Sequence, residues 1–292
     1  MHPGRWFVAA LVVAIAAAAV YAAALSEDGS QGGHVLWKAD AERPLADEWA
    51  SSAAMPRSGP CDSLAPPDAS SPRIERSRTA AQGRFSYAIT VEPGDDCHGE
   101  RAELGQGNPS RPGFDDRAFE QGQERWIAFQ VRLGRNFDPS VDAWRVIMQL
   151  HQRGDGSPPI SLDVESGRFV LYRSESPAND SVNSTALWSA PAATGRWVRF
   201  TLHVRFSPIP DDGFVELWGN PAGGRVVQLL PETAMHTMKQ GALPLHSRIG
   251  IYRNPAGPFG TETVYYDGYT VATTRAAAEA NAFRAPAAAA KR

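Results

Sequence analysis

Apolar and polar residues alternate along this chain in short segments, each closed by turn residues. The period of two recurs at 34–40 (HVLWKAD), 84–91 (RFSYAITV), 124–133 (ERWIAFQVRL), 144–151, 159–164, 168–173, 196–206, 213–218, 248–253 and 262–272. Side chains two apart on an extended strand share a face, so each segment predicts a strand with one buried side. Long helical periodicity is absent from the sequence between them. Regularly spaced strands with turn signals predict an all-β fold, an antiparallel β-sandwich or jelly roll with a concave groove. The lack of a fixed-period repeat disfavours a propeller or solenoid.

Residues 6–25 (WFVAALVVAIAAAAVYAAAL) form an apolar run, preceded by His2 and Arg5 and followed by a polar stretch. Such a run predicts a signal peptide over 1–25, cleaved near the small residues Ala22 and Ala24, with an uncleaved N-terminal anchor as the alternative. A linker over 26–33 then leads into a domain at 34–274, and an Ala-rich segment, 275–292, reads as a tail with only Phe283 to anchor it. Residues 47–73, rich in Ser, Pro and Ala, read as loop. Two acceptor-type tripeptides, 179–181 and 183–185, mark a surface loop.

Composition adds three constraints. The 26 Gly, 23 Pro and eight Trp of the 292-residue chain suit many turns between aromatic-rich strands. A formal net charge of −3 supplies no basic field, which argues against nucleic acid as a partner. The two cysteines, Cys61 and Cys97, lie downstream of the export signal and predict one disulfide in a secreted or periplasmic protein; a membrane association follows only if residues 1–25 remain attached. The protein is expected to be a monomer.

Candidate chemistry sits in three distant segments, 99–104 (GERAEL), 148–152 (MQLHQ) and 249–254 (IGIYRN). Alternation puts Arg101 with Glu103, Gln149 with His151, and Arg248 with Gly250 and Tyr252 on common faces. The neighbours Ala102, Leu104, Met148 and Leu150 are apolar. Arginine, amide, imidazole and phenol together can neutralise a carboxylate, remove its α-proton and protonate a leaving oxygen. A structural reading competes, in which the polar rows form a solvated outer face carrying an Arg101–Glu103 ion pair.

These three segments resemble the signature strands of the jelly-roll polysaccharide lyases, with Arg-x-Glu-Leu, Gln-x-His and Gly-x-Tyr in order. The ending Gly250-Ile251-Tyr252-Arg253 is similar to that of glucuronan lyases and heparin-lyase-like proteins, while Arg248 stands where alginate lyases carry lysine. The resemblance extends over roughly 35–271 and includes 197–200 (WVRF), 213–218 (GFVELW) and 264–268 (VYYDG).

The resemblance implies an acidic polysaccharide substrate, glucuronan-like first and alginate- or heparin-like next, cleaved by β-elimination. Arg101 and Gln149 would bind the uronate carboxylate, with His151 and Tyr252 as base and acid. In D-glucuronate and D-mannuronate the C5 hydrogen and the C4 oxygen lie on one side of the ring, so Tyr252 would serve both steps. In L-guluronate and L-iduronate they lie on opposite faces, and His151 would take the proton. His98, Arg248 and Arg253 are expected to contact substrate, and Trp144 is read as core in preference to a sugar platform. No cofactor is required for this chemistry; Asp267 matches a position for a structural calcium. Two rivals stand beside this reading. A non-catalytic carbohydrate-binding module would keep the fold alone. A laminarinase-type hydrolase needs Glu-x-Asp-x-Glu, and in 161–165 (SLDVE) Ser161 replaces the first carboxylate.

Overall fold

The computed structural model describes residues 33–56, 60–62, 66–67, 71–107, 117–152, 156–178, 182–241 and 244–284. The expected signal segment, most of the linker, the 179–181 tripeptide and the chain beyond 284 lie outside these. No helix among the described residues is long and apolar enough to cross a membrane.

Fifteen strands are present among the described residues, arranged in two antiparallel sheets. In the first, β13 (Val227–Ala234), β12 (Phe214–Gly219), β11 (Val198–Arg205), β6 (Glu124–Leu133), β15 (Glu262–Ala272), β4 (Ser86–Val91) and β3 (Ile74–Ser77) are neighbours in that order, with β1 (Val35–Ala39) paired to β15. The second runs β10 (Ser184–Pro191), β9 (Arg168–Ser174), β8 (Ile160–Glu165), β7 (Arg145–His151), β14 (His246–Arg253), β5 (Arg101–Gly105), β2 (Ser51–Ala53). The expected all-β sandwich is the observed fold.

The period of two explains the core. From the first sheet, Ile127, Phe129, Val131 and Leu133 of β6 and Phe200, Leu202 and Val204 of β11 point inward. From the second come Ala102 and Leu104, Met148 and Leu150, Leu162 and Val164, and Ile249 and Ile251. All of these are buried in one contiguous cluster, which removes their apolar surface from water. The alternate residues of β5, β7 and β14 must therefore face away from it.

Three expectations are corrected. Residues 47–73 are not all loop: the short helix α1 (Leu45–Glu48) and β2 lie at its start, because Trp49 is buried edge-on against Trp37 and Tyr87. Likewise 184–185 belong to β10 and not to a loop. The segment after 274 is also anchored. Helix α2 (Arg275–Ala282) begins with Thr274 accepting from the Ala277 amide (3.3 Å), and its Ala278 and Ala282 pack on Ala128 and Ala272. Small side chains let the helix approach the sheet closely. Gln130 then donates to the Ala282 carbonyl (2.8 Å), satisfying a terminal acceptor, and Trp126 and Phe283 pack against the same cluster.

Candidate active site

The three candidate segments become adjacent strands, with β14 between β5 and β7. Register pairs Tyr252 with Arg101, Gly250 with Glu103, Arg248 with both Gly105 and Gln149, and His246 with His151. Cross-strand partners share a face. Arg101, Gln149, His151, Arg248 and Tyr252 therefore occupy one outer face of the second sheet.

A bulge sets this alignment. On the β5 side β14 pairs without interruption, but against β7 its register shifts between Ile249 and Tyr252, so that Tyr252 meets Val146 and Arg253 meets Arg145. Gly250 adopts φ +149°, and a β-carbon there would lie 2.1 Å from the Ala102 carbonyl oxygen. Only glycine fits so close to a neighbouring backbone. From the opposite sheet, the buried Tyr266 hydroxyl donates to the carbonyl of Ile147 and reaches that of Gly250 (3.2 Å).

Glu103 is the electrostatic centre of the face. It is 2% exposed, accepts a hydrogen bond from Gln149 Nε2 (2.5 Å), and lies 3.4 Å from Arg101 Nη1 and 3.7 Å from Arg248 Nη1. This is not the solvated outer row of the structural reading: two guanidiniums meet one buried carboxylate, leaving positive charge in surplus. Arg101 also donates to the His98 carbonyl, while its buried Nε has no partner among the described residues. Its guanidinium carbon sits 3.6 Å from the centroid of the Tyr252 ring. The other edge of that ring meets Trp144 in a T-shaped contact (5.0 Å).

His151 is held neutral. Burial pushes its imidazolium well below the ordinary range, and the charges of Arg248, Arg101 and Lys239 push in the same direction. A neutral imidazole in a cationic setting is a proton acceptor. Arg248 is itself drawn down by burial, against the opposing pull of Glu103.

Beyond Tyr252 the same face opens into a cleft of about 500 Å³ along β7, β8 and β9. Trp144, Val146, Ser161, Asp163, Tyr172 and Tyr252 are among its walls. Trp144 thus borders the open cleft, where the sequence placed it in the core.

Two sequence assignments change. Arg253 cannot contact substrate on this face: it points inward, 0% exposed, bonded to Glu100 (2.7 Å) and Glu262 (3.1 Å), and Glu262 also binds Arg145 (2.8 Å). Alternation required this, because Tyr252 faces out. His98 holds φ +60° on the loop before β5, where its carbonyl positions Arg101 while its side chain is exposed. Asp267 does not fit a calcium site. It is buried on the other sheet, its Oδ2 accepts from the amides of Ala81 (2.8 Å) and Gln82 (2.9 Å), and no cluster of three His, Cys, Asp or Glu suited to a metal occurs among the described residues. Amide donors occupy the place where a hard cation needs oxygens.

Sequence reasoning missed His246, two residues before the segment it considered, and the cleft lining on β8 and β9. The expected disulfide is present between Cys61 and Cys97, with Cα atoms 5.2 Å apart, and it secures the loop that carries His98 and Gly99.

Comparison with known proteins agrees with this architecture. An endo-β-1,4-glucuronan lyase from the fungus Trichoderma reesei superposes with a TM-score of 0.60 at 14% identity, covering 85% of this chain and 98% of that one. An alginate lyase from Aplysia kurodai gives 0.53 at 12% identity, covering 82% and 98%. No curated protein matches the sequence. At such identities the superpositions establish the fold alone. The polysaccharide lyase profile matches residues 68–270, most of the chain and all three site strands, and the chain belongs to the polysaccharide lyase family.

Proposed function

We propose that this protein is an exported lyase that cleaves a uronic-acid polymer by β-elimination on the β5–β14–β7 face. The observation that carries the reading is the convergence of Arg101, Gln149, His151 and Tyr252 on adjacent strands of one sheet. A uronate carboxylate would meet the surplus positive charge left by Arg101 and Arg248 around Glu103. Gln149, held through one amide hydrogen by Glu103, keeps its second for the same carboxylate.

Removal of the C5 proton then places negative charge on the carboxylate oxygens, where these donors stabilise it as an enolate. The electron pair forms the C4–C5 double bond as the C4–O4 bond breaks, and the departing O4 takes a proton. Tyr252 is assigned to the oxygen. Neutral His151 is the base for substrates whose C5 hydrogen lies on the opposite ring face, and Tyr252 serves both steps where the two lie on the same side. These roles use protein groups alone. Export rests on the apolar segment 6–25 and the disulfide, and the mass of the mature protein would test it.

The deciding experiment incubates the purified protein with glucuronan, alginate and heparin while following the ultraviolet absorbance of the unsaturated uronate product. Rising absorbance on at least one polymer, lost in Tyr252→Phe with folding intact, is the expected result. New reducing ends without absorbance would replace elimination by hydrolysis.

A further inference from the structure

The outer face of the second sheet changes charge along its strand order. On β5 and β14 it carries Arg101 and Arg248 around Glu103. On β8, two strands from β14, it carries Asp163 and Glu165, and none of the residues lining the cleft there is Lys or Arg among the described residues. Arg168 pairs with Glu165 in register, but its guanidinium is turned to Ser189, bonding Oγ (2.9 Å) and the carbonyl (3.2 Å).

Asp163 is the unusual member. It lines the cleft at 5% exposed, and its buried Oδ1 has no hydrogen-bond partner among the described residues. Such an atom costs stability unless something else supplies the partner. Burial, with the charge of Glu165 behind it, pushes the Asp163 carboxyl up to about 7, although Ser161 bonds to it and pulls the other way. Near neutrality it is both donor and acceptor, suited to a sugar hydroxyl. Glu165 accepts the Tyr172 hydroxyl, fixing that ring at the cleft wall opposite Trp144 and Tyr252. Aromatic rings beside a few converging polar groups suit the apolar and hydroxyl faces of a pyranose.

We propose that the β8–β9 half of the cleft is a subsite for an uncharged sugar next to the uronate held by Arg101, so that the substrate alternates uronate with neutral sugar units. This rests on the elimination reading for the uronate half, and it departs from the glucuronan homopolymer that the sequence motifs favour. A second uronate would place its carboxylate against Asp163 and Glu165. A neutral hexose or N-acetylated hexosamine would instead complete the hydrogen bonding of Asp163.

The test measures binding calorimetrically with full-length Tyr252→Phe protein, against a glucuronate homopolymer and against polymers alternating glucuronate with N-acetylglucosamine, namely hyaluronan and heparosan. At least one alternating polymer should bind about tenfold more tightly than the homopolymer, the size expected for one unfavourable like-charge contact. Equal or reversed affinities overturn the subsite, and so does binding of none. Asp163→Asn and Glu165→Gln, each added to the same protein, should raise homopolymer affinity and shrink the ratio; an unchanged ratio overturns it. Glu165→Gln keeps the test available if Asp163→Asn fails to fold. Absorbance on the unaltered protein separates the two readings: elimination with a homopolymer preference sinks the subsite alone. No elimination on any polymer sinks the lyase reading, while the binding ratio still judges the subsite.

Discussion

Arg101 and Tyr252 face each other across β5 and β14, with the guanidinium carbon 3.6 Å from the ring centroid. A fixed cation over the ring orients the phenol and keeps the arginine extended along the sheet face. The opposite constraint comes from Gly99, whose absent β-carbon would fall 2.8 Å from Tyr252 Cε2. Two residues from one loop and strand thus set the position of a group contributed by another strand.

Gly99→Ala should displace the Tyr252 ring. Gly99 holds φ +98°, so the substitution also strains the backbone by about 1–3 kcal/mol. A reacting group moved by roughly an ångström loses about 100-fold in turnover. Steady-state kinetics on the best polymer, with a melting curve alongside, should show kcat falling far more than stability; unchanged kcat would mean the ring does not depend on Gly99.

Glu103 holds two arginines and Gln149 in place, and removing its charge leaves the guanidiniums to repel one another. Glu103→Gln should therefore cost about 3 kcal/mol of stability, the size seen when one partner of a buried ion pair is lost. Denaturant unfolding at low and high salt checks this. Screening should return part of the loss, because the residual repulsion is electrostatic.

The fold and the shared face of the candidate residues were legible because both depend on the period of two. Alternation alone puts Arg101, Gln149, His151 and Tyr252 on outward positions, and it also required Arg253 to point inward, a consequence overlooked when its charge suggested substrate. Which strands are adjacent was not legible, since nothing in β5, β7 or β14 names its neighbour. Strands β3, β10 and β13 escaped notice because they are short or exposed edge segments with weak alternation. The acidic lining at Asp163 and Glu165 was visible in sequence only as a failed hydrolase motif; its place beside Tyr252 comes from pairing β8 with β7.

Asp267 should make stability fall with rising pH. Burial lifts its carboxyl to about 7 from an unfolded value of 3.8, against hydrogen bonds from Gln82 and Ala81 that favour the anion. A raised folded value means stability fully present below the unfolded pKa and lost as pH climbs through about 7. Asp267→Asn should flatten the decline in melting temperature between pH 5 and pH 8. A slope as steep as that of the unaltered protein would assign the decline elsewhere.

Joining Cys61 to Cys97 closes a loop with a sequence separation of 36 residues. Loop-closure entropy gives such a bridge about 4 kcal/mol. Because Cys97 directly precedes His98 and Gly99, Cys61→Ser with Cys97→Ser should lower activity as well as melting temperature. Activity measured well below the new melting temperature separates the two effects. Full activity there would show that the strand pairing of β5 positions Arg101 without help from the loop.

On the proposed mechanism, His151 should set the acid limit of turnover on substrates that use it as base. Burial and the surrounding cations lower its pKa well below 6.5, so the neutral form persists into mildly acidic solution. Protonation then occurs only as pH falls through that lowered value, and the acid limb of kcat/KM, which reports the free enzyme, should lie below pH 6.5. Stability follows the same sign: the contribution of the neutral imidazole is complete above the unfolded value and lost as pH drops through the folded one. Removing a neighbouring cation should relax the shift, so Arg248→Gln is expected to move the limb upward while raising KM. An acid limb above pH 6.5 in the unaltered protein, or one unmoved in Arg248→Gln, would take the base role away from His151.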